Sequence, residues 1–402
     1  MSENYLSTEV TFAPLRAVIH EVMSVDDITE GRNVDWAVRF RGTLKIDSIE
    51  AYNRVDKIFR AHNFTPLFRV EEGRHAILAM PGVIDTKPSN PWVNIVLFVL
   101  TVFSTFYTGA LMSYQGPETD LVQVLLIGFK QIYTGWPFAV GILSILLAHE
   151  FGHYIAARLH GAPVTLPYFI PMPYPISPFG TMGAVIVMKA PVRNRRILMD
   201  IGVSGPLAGF IVAIPVLIIG LLRSQVLPIP AGQALSLEGN SIVYLLVKFL
   251  VFGKLLPAPE VYNFGNPILH WLVYFFTSQP LPIGGVDVML DQMAWAGWAG
   301  LLVTGLNLIP AGQLDGGHAL FVLLGKRAEK ILPVILLTLV LLGFVWQGWW
   351  LWAALIYFLN RRHAELLDEI TPLDPRRRII ALITILLFFL VITPVPLTII
   401  GG

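Results

Sequence analysis

Charged residues vanish from this chain over long intervals, and those intervals set the first reading. No Asp, Glu, Lys or Arg occurs from Pro88 to Pro117, Ile201 to Leu222, Gln292 to Leu314, Ile331 to Asn360 or Ile379 to Gly402. A sixth stretch, Gln131 to Ala148, runs uncharged directly into His149 and Glu150. Crossing a bilayer takes about 20 mainly apolar residues in helix. Lipid offers the backbone no hydrogen-bond partner but itself, so these stretches predict membrane helices. Between Arg223 and Val286 the pattern weakens: Lys248 and Lys254 interrupt the run Ser241–Leu256, and Ile268–Thr277 is short. Interfacial helices or short spans are expected there. The run Ile331–Asn360 suits one long span or a hairpin turning near Gln347-Gly348. The expected fold is a polytopic α-helical membrane protein of about six to eight spans.

The first 87 residues follow other periods. From Asp47 to His62, Ile49, Tyr52, Val55 and Phe59 recur on one helical stripe. Trp36–Leu44, Thr65–Val70 and His75–Met80 read as strands, with Glu71-Glu72-Gly73 as the turn between the last two. A small soluble α+β domain is expected over 1–87, tethered through the linker Pro81–Pro91 to a membrane-embedded region over 88–402. The first 91 residues contain no apolar segment of the signal-peptide kind, and none of them suggests catalysis.

Charge sharpens this division. Residues 1–91 hold 24 charged side chains, whereas the other 311 hold 31. A net charge of +1 without a long basic run excludes nucleic acid as the main partner. Zero cysteine excludes disulfides, thiolate metal sites and cysteine nucleophiles. Arg158, Lys189, Arg193, Arg195 and Arg196 lie in one acid-free interval, and basic loops stay on the cytoplasmic side. Lys326, Arg327 and Lys330 form a second group; Arg361, Arg362, Arg376, Arg377 and Arg378 form a third. Both share a side only if Ile331–Asn360 crosses twice, which favours the hairpin. The chain is thus expected as an integral, multi-pass protein of a cell membrane, with its amino terminus and active-site side cytoplasmic.

Candidate chemistry sits at the end of the second span, in His149-Glu150-Phe151-Gly152-His153. Histidines at i and i+4 share a helix face and reach one tetrahedral zinc, and the Glu between them can act as general base on a water. This composition gives about 0.007 chance occurrences of the motif. Two histidines and a glutamate snorkelling to polar surroundings is the plain alternative, but ionisable groups within spans are costly and usually functional. A catalytic zinc needs a third protein ligand, for which Asp200, Asp291 and Asp315 are available. Asp315 is the best candidate, because Pro310, Gly312, Gly316 and Gly317 break regular helix around it. A helix-capping role is its alternative.

HEFGH together with Asn307-Leu-Ile-Pro310-Ala-Gly-Gln-Leu314-Asp315-Gly316-Gly317 resembles the site-2 protease family of intramembrane zinc metalloproteases, whose signatures are HExxH and NxxPxxxLDG. Every fixed position matches, over a core of about 135–320. The resemblance implies one Zn²⁺ per chain, held by His149, His153 and Asp315, with Glu150 as catalytic base. Substrates are then membrane proteins with a transmembrane helix, met within the lipid bilayer. Asn307 is a candidate for contacting substrate or intermediate, with structural capping as its alternative. The amino-terminal domain, the GQLDGGH form of the second motif and the lack of a PDZ-like insert are similar to the plastid and bacterial branch. Relatives often carry Asn a few residues after the Gly-Pro of the third span, where this chain has Gly209; the Gly205–Gly209 spacing permits close helix packing.

Between the motifs, Pro163–Lys189 contains five prolines from Pro167 to Pro178 and then a β-branched run, Ala184–Met188. This reads either as a membrane-dipping loop with an edge strand able to pair with an unwound substrate, or as a rigid connector. His160 and His270 are expected at interfaces and His318 beside the metal site. A metal transporter and a catalytically silent adaptor are the competing classes; Glu150 argues against both, since neither needs a base next to its first ligand.

Overall fold

Three helices of the computed structural model are long and apolar enough to cross a membrane: Pro91–Met112, the continuous segment Ile132–Leu159 and Arg195–Arg223. The structure describes residues 3–31, 36–84, 86–114, 116, 120–229, 235–359 and 366–400. The chain forms two compact units, one of Met1–Pro88, Met188–Leu198 and Ala364–Arg377, the other of Ser89–Val187, Met199–His363 and Arg378–Gly402.

The first unit contains α1 (Glu3–Val22), β1 (Met23–Glu30), β2 (Val38–Leu44), α2 (Ser48–Ala61), β3 (Phe64–Glu71) and β4 (Arg74–Pro81). Its antiparallel sheet has the order β1-β2-β4-β3. Asp47 starts α2 by accepting from the Ile49 amide, and the helix buries Tyr52, Val55 and Phe59 as its stripe predicts. These pack with Leu15, Ile19, Phe40, Phe68 and Ile77. The turn expected at Glu71-Glu72-Gly73 joins β3 to β4, with Glu72 and Gly73 left-handed. Two features were not expected: α1, whose pattern Pro14 interrupts, and β1, which buries only its first residue.

The outer edge of β3 is covered by distant segments of the same unit. Phe68 N–H donates to the Leu367 carbonyl at 2.8 Å, and Glu369 N–H donates back to the Phe68 carbonyl at 3.0 Å. Leu367 and Asp368 in turn donate to the carbonyls of Val192 and Arg193. Asp368, fully buried, accepts from the amides of Ile370 and Thr371 and from the Thr371 hydroxyl. Arg193 lies 4.4 Å over the Tyr52 ring and donates to Asn53 and to the Ile49 carbonyl.

The second unit is mostly helical: α3 (Pro91–Met112), α4 (Leu121–Lys130), a 3₁₀ turn (Ile132–Gly135), α5 (Trp136–Leu159), β5 (Tyr168–Pro171), β6 (Thr181–Val185) and α6 (Arg195–Arg223), whose first residues belong to the other unit. There follow β7 (Gln225–Pro228), β8 (Leu235–Glu238), α7 (Ile242–Phe252), α8 (Pro267–Thr277), β9 (Val286–Met289) and α9 (Gln292–Asn307). Last come α10 (Asp315–Leu324), α11 (Leu332–Leu342), α12 (Gly348–Leu359), α13 (Pro375–Val391) and β10 (Leu397–Ile400). Strands pair as β5–β6, β7–β9 and β8–β10, all antiparallel. The core lies among α5, α6 and α9, where Phe138, Ile142, Leu146, Leu217, Trp298 and Leu301 are buried.

Among the described residues, then, three helices have spanning length where six to eight spans were expected. At 16 and 17 residues, α9 and α13 stop short because α9 ends at the Asn307–Leu314 break and α13 gives way to β10. The run Ile331–Asn360 is two helices, α11 and α12, joined through 343–347, with Trp350 Nε1–H donating to the Val340 carbonyl. Asn360, Arg361 and Arg362 lie outside the described residues.

Within Pro163–Lys189 the strand begins earlier than expected. The regular ladder ends with β6, and beyond it Val187 exchanges hydrogen bonds with Thr165, with bridge residues at Val164 and Met188. The hairpin is held by α3: Asn94 donates to the carbonyls of Leu166 and Pro167, and Ser104 to that of Gly180.

Candidate metal centre

His149 lies about 20 Å along α5 from its start, at 1.5 Å per residue, inside the apolar length of the helix. His149, Glu150 and His153 are 4%, 4% and 6% exposed. One turn separates the two histidines, and their Nε2 atoms stand 3.2 Å apart. The neighbour that closes this face is α6. At Gly205 a Cβ would lie 2.1 Å from His153 Nε2, and at Gly209 one would lie 3.2 Å from His149 Cβ and Nδ1. The Gly205–Gly209 pair thus does allow close packing, and what it packs against is the pair of imidazoles. The Ile201 carbonyl, also on α6, stands 2.7 Å from His153 Nδ1. Only a protonated Nδ1 can donate to that oxygen, which leaves the Nε2 lone pair of His153 free.

The third donor comes from the break after α9. Residues 308–314 leave helical geometry, Gly312 adopts a left-handed φ of 59°, and the chain folds back so tightly that a Cβ on Gly316 would lie 1.9 Å from the Leu308 carbonyl oxygen. Asp315 opens α10 at this point. Its Oδ2 is 3.3 Å from His149 Nε2 and 3.4 Å from His153 Nε2. For bonds of about 2.0–2.1 Å, a tetrahedral metal sets its donors about 3.3–3.4 Å apart. All three edges of the observed triangle are of that size, and two imidazoles with one carboxylate are a donor set suited to zinc. Asn307, the last residue of α9, borders the triangle with its Nδ2 3.4 Å from His149 Nε2.

The other candidate acids are engaged elsewhere. Asp200 meets His160 at 2.8 Å, and Asp291 accepts from the Met293 amide to begin α9 while pairing with Arg223 at 3.4 Å. His160 is exposed near the end of α5, and His270 is buried against Tyr262 and Tyr274. His318 faces α6, its Cβ 3.1 Å from where a Cβ on Gly202 would stand. Sequence reasoning missed the Ile201 carbonyl, because a backbone oxygen leaves no trace in residue identity.

Residues 137–345 match the family model for peptidase family M50. The chain belongs to that family, the site-2 protease family. It is 30% identical over 386 residues to "Probable zinc metalloprotease EGY2, chloroplastic" of Oryza sativa subsp. indica, covering 92% of this chain and 63% of that one. To the EGY2 protein of Arabidopsis thaliana it is 25% identical over 388 residues, 93% of this chain and 63% of that one. To "Probable zinc metalloprotease EGY1, chloroplastic" of Oryza sativa subsp. japonica it is 28% identical over 338 residues, 78% and 52% of the two chains. The chain therefore spans between half and two thirds of the length of these relatives. No solved structure matches it.

Proposed function

We propose that this chain is an intramembrane zinc metalloendopeptidase that hydrolyses peptide bonds in or near transmembrane segments of membrane-protein substrates. One observation carries the reading: three donor atoms, on His149 and His153 of the apolar helix α5 and on Asp315 at the start of α10, converge at tetrahedral spacing, with Glu150 adjacent, in a chain of family M50. In this reading His149, His153 and Asp315 hold one Zn²⁺. When bound, the ion supplies Lewis acidity that activates a water and polarises the scissile carbonyl. Glu150 takes the proton from the attacking water and passes it to the leaving amine. The Ile201 carbonyl keeps His153 in the tautomer that presents Nε2, and Asn307 is positioned to donate a hydrogen bond to substrate or intermediate.

A substrate helix has its backbone already hydrogen-bonded, so it must unwind before attack. The β5–β6 hairpin offers an edge on which an unwound strand can pair, and its attachment to α3 through Asn94 and Ser104 supports a fixed rather than trailing loop. We propose further that α9 and α13 cross with α3, α5 and α6, and that the α11–α12 hairpin completes a fold of six to eight spans over 88–402, with residues 1–87 as a soluble domain. Packing of Met188–Leu198 and Ala364–Arg377 into one unit with the first 88 residues supports a common side for the amino terminus and the basic loops. In a cell membrane that side is the cytoplasm.

The test is cleavage of labelled single-span substrates by the zinc-loaded chain beside Glu150→Gln. Activity is expected to fall by at least about 10²-fold, the scale of general-base catalysis, with zinc content unchanged. Equal cleavage by the two proteins would refute the role of Glu150. Absence of zinc from both would remove the metal centre itself.

A further inference from the structure

Away from the metal centre, the second unit buries three charged side chains on three different elements. Lys248 of α7 is fully buried, and its Nζ lies 3.9 Å from Glu238 Oε1 of β8 and 3.9 Å from Asp287 Oδ1 of β9. Both carboxylates are buried too, at 5% and 1% exposure. Tyr244, one turn before Lys248 on α7, sits beneath the ammonium at 4.3 Å and donates its hydroxyl to Glu238 Oε1 at 2.7 Å. Asp287 Oδ1 accepts from the Val288 amide at 2.8 Å. Among the described residues, Lys248 Nζ and Asp287 Oδ2 find no hydrogen-bond partner, and neither does Asn240 Oδ1, two residues from Glu238.

We propose that Glu238, Lys248 and Asp287 form a proton-operated latch that fastens β8, α7 and β9 together and loosens when its proton is lost. One ammonium faces two carboxylates, so the fully ionised cluster buries an uncompensated negative charge, which is costly away from water. One added proton makes the cluster neutral. The elements joined hold the ends of two sheets: β8 pairs with β10, and β9 with β7. Of the other groups nearby, Tyr274 of α8 interacts with both carboxylates, and His270 stacks on Tyr274 at 6.2 Å. β10 sets only Leu397 opposite Glu238, and β7 contributes no titratable side chain.

Burial pushes the Glu238 carboxyl up to about 7; the charge of Asp287 adds to the rise and Lys248 opposes it. Burial also raises Asp287. Once opened to water, Glu238 returns to its ordinary value of 4.5. Between these values the closed latch keeps a proton that the open one releases, so rising pH favours opening. One proton allows up to about tenfold per pH unit.

Hydrogen exchange on the full chain in lipid discs tests this, read on peptides covering 235–250 and 286–291 from pH 4.5 to 8 and corrected for intrinsic exchange. The opening equilibrium is expected to rise by up to about tenfold per unit towards pH 7 and then level off. Glu238→Gln keeps a group that can accept from Tyr244 and stays neutral, leaving Asp287 as the one carboxylate beside Lys248, so the rise is expected to move to lower pH. A flat wild-type profile, or an unmoved rise in Glu238→Gln, overturns the proposal. If that variant does not accumulate, Asp287→Asn decides. With one carboxylate left beside Lys248, the rise is expected to move to lower pH, and an unmoved rise overturns the proposal equally.

Discussion

At the residue scale, the centre depends on atoms that are missing. Alanine favours helix over glycine by about 1 kcal/mol, so Gly205→Ala would stabilise α6 if the site were bare. The added methyl would instead stand 2.1 Å from His153 Nε2, and that nitrogen has Asp315 and His149 within 3.4 Å to hold its position. Gly205→Ala is therefore expected to lower zinc affinity at least about tenfold, the scale reported for disturbed groups around metal sites. Gly209→Ala, meeting His149 at 3.2 Å, is expected to cost less. Zinc titration by calorimetry measures both. The donor residues themselves were legible because HExxH and NxxPxxxLDG are short patterns with fixed geometric meaning. What those patterns omit is the supporting wall, since Ile201 acts through its carbonyl and Gly205 through its lack of a side chain.

At the element scale, Asp368 anchors the segment that seals the β3 edge. It is fully buried and accepts three hydrogen bonds, two from amides and one from Thr371. Asp368→Ala strands those donors, and a loss of about 2–4 kcal/mol is expected, seen as a lower midpoint in denaturant melts of the full chain. Thr371→Val, which removes one donor and the Ser48 contact at 2.9 Å, is expected to lose about 1 kcal/mol. Helix α2 and strands β2 to β4 were readable because one face of each meets a single core. The covering strand was not, because Leu366–Glu369 lies some 300 residues away in sequence and carries no alternation of its own. Nor was the Glu238–Lys248–Asp287 cluster, whose members look like isolated charges far apart in sequence until three elements bring them together.

At the scale of the whole molecule, length separates what was readable from what was not. Absence of charge locates apolar segments, but it does not say where a helix ends. The run Gln292–Leu314 loses its last turns to the break that presents Asp315, and Ile379–Gly402 gives its end to β10. Crossing is testable directly because the chain has no cysteine. Arg158→Cys, at the end of α5, and Gln225→Cys, just past the end of α6, are both exposed. In sealed vesicles they are expected to react with a membrane-impermeant maleimide from opposite sides. Labelling of both from one side would reject the crossing assigned to α6.

The triangle of His149, His153 and Asp315 has one more consequence. Its donors already stand at the separation a tetrahedral ion requires, walled by α6 and by the fold-back at Gly316. An ion held by these three donors would keep its fourth position open for a water. Cobalt(II), which accepts the same geometry, should drop into the same seat. The protein would then take on a colour reporting the symmetry of the metal's surroundings, from a depth where water-soluble dyes do not reach.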